Sequence, residues 1–118
     1  MKAYTRKGDL GYTYDYSGKK IPKDDIRIIC WGKVDELQAI IDLAILQGKG
    51  KVKELLEKVQ SKLWQTSGEI ACSPPECVID PVTSEDLVHL EKFIDSQGPP
   101  PHHFVRFNTK EAIVLNEC

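Results

Sequence analysis

Residues 24–47 read DDIRIICWGKVDELQAIIDLAILQ, and their pattern predicts a helix from about 25 to 47. Asp24-Asp25 complement the positive end of a helix, and Pro22 stands just ahead of them. No proline and only Gly32 interrupts the run. Cys30, Val34, Leu37, Ile41, Ala44 and Ile45 recur at helical spacing. A second apolar set, Ile29, Ile40 and Leu43, falls on nearly the opposite side. A helix apolar on two sides is buried on two sides. In a chain this short, the second covering surface is expected from another subunit. Cys30, inside the helical pattern, reads as a small buried thiol.

Working outward, Gly48 and Gly50 end this helix, and a second is expected over about 51–72. Val52, Leu55, Leu56, Val59, Leu63 and Ile70 form its stripe, while Lys53, Glu57 and Lys58 face water. Trp64 lies off that stripe and reads as an interface or rim residue. Ser73-Pro-Pro breaks the helix. Thr83 or Ser84 caps a third helix, with Glu85-Asp86 in its first turn and Leu87, Leu90, Phe93 and Ile94 as its buried face. Gln97-Gly-Pro-Pro-Pro is a stop and a stiff linker. Thr109 caps a fourth helical pattern that starts at Lys110 and runs for about two turns. The expected fold is all-α: one domain over 1–118, with a loop at 1–23, three bundle helices over 24–97, a linker at 98–108 and the start of a fourth helix at 109–118.

The chain has 118 residues, 29% of them charged, and a net charge of −2. That balance argues against a nucleic-acid binder, which shows a basic surplus on one face. No apolar run reaches signal-peptide or membrane-spanning length, so a soluble, cytoplasmic protein is expected. The cysteines, Cys30, Cys72, Cys77 and Cys118, fit no zinc spacing. A Cys72–Cys77 disulfide around Pro74-Pro75 is geometrically feasible, but a cytosolic setting argues against it. His89 reads as exposed, and His102-His103 as surface residues rather than metal ligands.

Residues 1–23 are glycine-rich and polar, and an irregular loop is expected there rather than a strand pair. Within them, Tyr4-Thr-Arg-Lys-Gly-Asp-Leu-Gly-Tyr-Thr13 combines what a triphosphate needs. Gly8 and Gly11 permit a tight path with open N–H groups, Thr5 and Thr13 supply hydroxyls, and Arg6 and Lys7 supply charge. Lys23 follows just before a helix N-terminus. The run is not a Walker A loop, which needs GxxxxGK[ST]. On composition alone such a run is more often a plain basic, flexible arm.

The order of residues is more specific. YTRKGDLGYT, then IPKDDIRI, then WGKVDEL together resemble the N-terminal signature of the PduO-type ATP:cob(I)alamin adenosyltransferases. Gly68-Glu-Ile-Ala71 is similar to a segment of that family's second bundle helix, and the resemblance extends over roughly 3–107. It implies a helical bundle that transfers the 5′-deoxyadenosyl group of ATP to the cobalt of cob(I)alamin, forming adenosylcobalamin and triphosphate, with Mg²⁺ as cofactor. By resemblance, Thr5, Arg6, Lys7 and Gly8 wrap the ATP phosphates. Thr13 and Tyr14 contact ATP across the same loop, and Lys23 neutralises the triphosphate. Asp9 and Gly11 hold the loop's shape, Asp9 also standing near the metal. Asp35 matches a catalytic acid that abuts the corrin and pairs with an arginine of a later helix. Phe104 is similar in context to an aromatic that packs on the lower face of the corrin. The family's homotrimers, with sites between subunits, agree with a first helix apolar on two sides.

The chain departs from the pattern after Phe104. Phe104-Val-Arg-Phe-Asn-Thr109 lacks the family's proline-glycine turn, and the helix from Lys110 reaches Cys118 about where an arginine-rich run is expected. Arg106 precedes that helix and does not replace the run. Three origins fit: a truncated gene product, a piece of a longer chain, or a natural short form without catalysis. The alternative to an enzyme is therefore an inactive ATP- or corrinoid-binding subunit that joins a full-length partner. A third reading is a helical interaction module with a relic loop.

Overall fold

The computed structural model describes residues 4–72, 78–100 and 102–117. Helix α1, Ile26–Gln47, begins where Asp25 turns its carboxylate onto its own backbone: the Arg27 N–H donates to Asp25 Oδ1 at 2.9 Å. It ends at Gly48, whose extended backbone cannot continue the helix and whose N–H donates to Ala44 O at 2.7 Å. A side chain at Gly48 would approach that same oxygen to 3.1 Å, so the tight exit suits glycine. Helix α2, Gly50–Ala71, starts two residues later and returns along α1 as an αα-hairpin.

Ile41, Ala44 and Leu56 form the buried centre of this hairpin, with Leu37, Ile45, Val59, Leu63 and Val114 packed around them. Val114 belongs to α4, Lys110–Glu117, which rests on α1. The Ala112 N–H donates to Thr109 Oγ1 at 3.2 Å, the cap expected from the sequence. Helix α3, Ser84–Ser96, is capped from Thr83: Asp86 Oδ2 accepts from the Thr83 N–H at 2.9 Å and its hydroxyl at 3.2 Å. Gly98, at φ 91°, follows its end.

Helix α3 does not close onto α2. Lys62 pairs with Asp86 at 3.1 Å, and an open groove of about 580 Å³ lies between the helices. Leu87 and Ile94, expected as part of a buried face, are more than half exposed, while Leu90 and Phe93 are half-buried. The loop before α3 is tied to α2 instead. Glu69 accepts from the Val82 N–H at 2.5 Å, and Gln65 donates to Asp80.

Three further expectations are corrected. Cys30 is an exposed free thiol, because its part of α1 projects beyond the packed centre. The segment expected to be irregular holds an antiparallel pair, β1 (Tyr12–Tyr14) and β2 (Lys20–Pro22). Cys72 is disulfide-bonded, against the expectation of a reduced thiol; Cys77, the partner weighed from the sequence, lies outside the described residues. The second apolar set on α1 stays open, with Ile29 and Leu43 about half exposed. Among the described residues no helix is long and apolar enough to cross a membrane.

Candidate functional site

The β1–β2 hairpin carries the site's front edge. Its register pairs Tyr12 with Pro22, Thr13 with Ile21 and Tyr14 with Lys20. Side chains alternate along a strand, so Thr13 and Ile21 share the inner face, Ile21 being 2% exposed. Tyr12, Tyr14 and Lys20 take the outer face, where Lys20 Nζ sits 4.4 Å from the Tyr12 ring centre. Thr13 and Tyr14, predicted to touch the same nucleotide, thus present opposite faces of one strand.

Asp15 builds the turn between the strands. Its buried carboxylate accepts from Ser17 Oγ at 2.6 Å and from the Lys19 N–H at 2.8 Å. Gly18, at φ 83°, donates its N–H to Asp15 O at 3.0 Å. The Tyr16 N–H donates to Ala71 O at 2.9 Å, which fastens the turn to the last residue of α2. The sequence reading passed over Asp15; the Asp-x-Ser-Gly spacing of an Asx turn was the available signal.

Ahead of β1 the chain bends tightly. Arg6 lies at φ 58°, a left-handed conformation that costs a non-glycine residue on the order of 1 kcal/mol or more. The Asp9 N–H closes the bend on Arg6 O at 3.3 Å, and the Arg6 guanidinium lies 5.3 Å from the Tyr4 ring centre. Thr5 Oγ1 accepts weakly from the Lys7 N–H at 3.5 Å. Thr5, Arg6 and Lys7 are all exposed, so their polar groups face water.

Lys23 joins this bend from the other side. Its N–H donates to Gly11 O at 2.9 Å, where Gly11 takes φ 80°. Its ammonium reaches back across the loop: a Cβ placed on Gly8 would stand 3.2 Å from Lys23 Nζ and 3.4 Å from Cε. Two positions distant in sequence thus meet, and Arg6 and Lys7, which precede Gly8 in sequence, put two more exposed cations at the rim of this bend. Cations beside glycine backbone are what a polyphosphate requires.

Asp35 lies on the same helix that Lys23 precedes, roughly 14 Å along its axis from Ile26 at 1.5 Å per residue. Its exposed carboxylate accepts from Gln38 Nε2 at 3.3 Å, and among the described residues no cation pairs with it. Phe104 is wholly exposed in the linker between α3 and α4, and nothing brings it to the loop or to Asp35. The structure therefore assembles Gly8, Gly11 and Lys23, places Arg6 and Lys7 beside them, and leaves Asp35 and Phe104 apart.

Comparison with known proteins bears on the family. The family model for cobalamin adenosyltransferase matches residues 3–116. The corrinoid adenosyltransferase PduO of Citrobacter freundii is 31% identical over 118 residues, covering 95% of this chain and 35% of the relative. A second corrinoid adenosyltransferase of that organism is 34% identical, covering 88% of this chain and 62% of the relative. The Homo sapiens corrinoid adenosyltransferase MMAB is 33% identical, covering 88% and 46%. The chain thus spans between about a third and just under two-thirds of these relatives' lengths. A variant PduO-type ATP:corrinoid adenosyltransferase from Lactobacillus reuteri, complexed with cobalamin and ATP, superposes with a TM-score of 0.81 at 25% identity, covering 98% of this chain and 69% of its own. Another variant of it, complexed with ATP, gives a TM-score of 0.81 at 26% identity, covering 97% and 68%. With the family model matching residues 3–116 and the fold shared with the PduO-type structures, the chain belongs to the cobalamin adenosyltransferase family.

Proposed function

We propose that the chain transfers the 5′-deoxyadenosyl group of ATP to the cobalt of cob(I)alamin, giving adenosylcobalamin and triphosphate. The observation that carries this reading is the meeting of Lys23 Nζ with Gly8 in a chain of this family. Reduced cobalt is itself the nucleophile, so the protein's part is to position the reactants and to neutralise charge. Arg6, Lys7 and Lys23 stabilise the triphosphate as it leaves, while Thr5 and the Gly8 backbone wrap it. Thr13 and Tyr14 bound ATP, one by side chain and the other across the strand, since they face opposite ways. Mg²⁺, when bound with ATP, would help to neutralise the triphosphate, and the exposed Asp9 would stand near it as a neighbour acting through water. Asp35 abuts the corrin, and Phe104 folds onto its lower face once the ligand is present, excluding water from the cobalt.

The open second face of α1 supports a homotrimer with sites between subunits, acting in the cytoplasm as one domain. One observation favours a second reading, a non-catalytic ATP- or corrinoid-binding subunit: Asp35 meets no cation among the described residues. Incubating the purified chain with ATP, Mg²⁺ and chemically reduced cob(I)alamin, and following adenosylcobalamin by absorbance, separates the two. Turnover supports the enzyme. ATP binding without product supports the subunit; no ATP binding refutes the enzyme, and no binding of either ATP or corrinoid refutes both.

A further inference from the structure

We infer that Gln38 is a positioning residue that holds the Asp35 carboxylate in place and ties it to α2; the inference rests on the proposed role of Asp35 at the corrin. Gln38 follows Asp35 by three residues, so the two side chains neighbour each other on one face of α1. Its amide is buried, at 8% exposure, in the seam between α1 and α2. The two hydrogens of Nε2 serve two acceptors: Asp35 Oδ1 at 3.3 Å and Ser67 Oγ at 3.0 Å. Ser67 is itself buried, on α2. An exposed carboxylate is thereby linked through one buried amide to the neighbouring helix.

The amide has little freedom to leave this arrangement. On the next turn, Gln60 Nε2 of α2 donates to Asp42 Oδ1 at 2.9 Å and to Gln38 O at 3.4 Å. These bonds fix the register of the two helices beside Gln38. A hydrophobic residue at position 38 would pack the seam equally well, but would leave the carboxylate free to rotate. The polar choice at a buried site is explained by what the amide holds at the surface.

The test titrates the folded chain, with ATP present, with cob(II)alamin, and compares the parent with Gln38→Leu, Asp35→Asn and the double variant. Gln38→Leu is expected to weaken corrinoid binding by about tenfold, the loss expected for one hydrogen bond to a charged group, with ATP affinity unchanged. The double variant is expected to lose no more than Asp35→Asn alone, because the two residues act as one unit. Ser67→Ala keeps the seam packed and frees the amide, and it is expected to weaken corrinoid binding in the same direction; it serves if Gln38→Leu does not fold. A loss in Asp35→Asn with none in Gln38→Leu or Ser67→Ala overturns this inference and leaves the Asp35 reading standing. Additive losses overturn it likewise. No loss in any variant, or a parent that binds no corrinoid, overturns both.

Discussion

Replacing Lys23 by methionine tests the proposed phosphate site most directly. The change keeps an unbranched stem one atom shorter and removes the ammonium, which lies against Gly8 rather than within any packed core. Lys23 is exposed and its N–H bond to Gly11 O is unaffected by the side chain, so folding should survive. One hydrogen bond between charged partners is worth about 1.5–3 kcal/mol. At about 1.4 kcal/mol per decade, Lys23→Met should weaken ATP binding roughly ten- to a hundredfold. Gly8→Ala supplies a graded companion. Its new methyl would crowd the flexible tip of Lys23 at 3.2 Å, and Gly8 is not in the left-handed region, so the ammonium shifts by tenths of an ångström. A loss of a few-fold, smaller than that of Lys23→Met, is expected. Calorimetric titration with MgATP reads both variants, and raising the salt should shrink the difference between parent and Lys23→Met. Unchanged ATP affinity in a folded Lys23→Met protein would falsify the assignment of this rim to phosphate.

Other outcomes follow from the packing. Asp15→Ala removes the acceptor of the Ser17 hydroxyl and the Lys19 N–H, and should destabilise the chain by about 1–3 kcal/mol in urea unfolding while weakening ATP binding. Ile41→Ala, at the centre of a small core, should cost about 2–5 kcal/mol by the same measurement. The Thr83 backbone N–H, then Lys62, hold the Asp86 carboxyl below its ordinary value, with desolvation opposing them. A lowered folded value contributes stability above the unfolded value of about 3.9 that is lost as pH falls through the folded value. Asp86→Asn should therefore show a shallower loss of stability on acidification below about pH 4 than the parent, read by circular dichroism.

The helices were legible because each is long enough for its period to show. Asp25, Thr83 and Thr109 were all readable as caps or helix starts, since a capping residue acts within its own turn. The β1–β2 pair was not legible: each strand has three residues, too few for alternation to register, and its anchor is Ala71, remote in sequence. The exposure of Cys30, Leu87 and Ile94 was missed for a related reason. Periodicity shows which face is apolar, whereas burial depends on whether another element reaches that face. Gly8, Gly11 and Lys23 stood out as chemistry, but their convergence depends on a backbone bond between Lys23 and Gly11 that no spacing rule encodes.

The bond from the Tyr16 N–H to Ala71 O also bears on the order in which the molecule assembles. The αα-hairpin forms from neighbours in sequence, whereas the β1–β2 turn, and with it the proposed nucleotide site, can be seated only after the far end of α2 exists. Closing so long a stretch of chain carries an entropic cost that local pairing avoids. Helix formation should therefore run ahead of nucleotide competence during refolding. In a stopped-flow experiment, far-ultraviolet ellipticity would recover first, and the capacity to bind MgATP would trail it by a separate, slower phase.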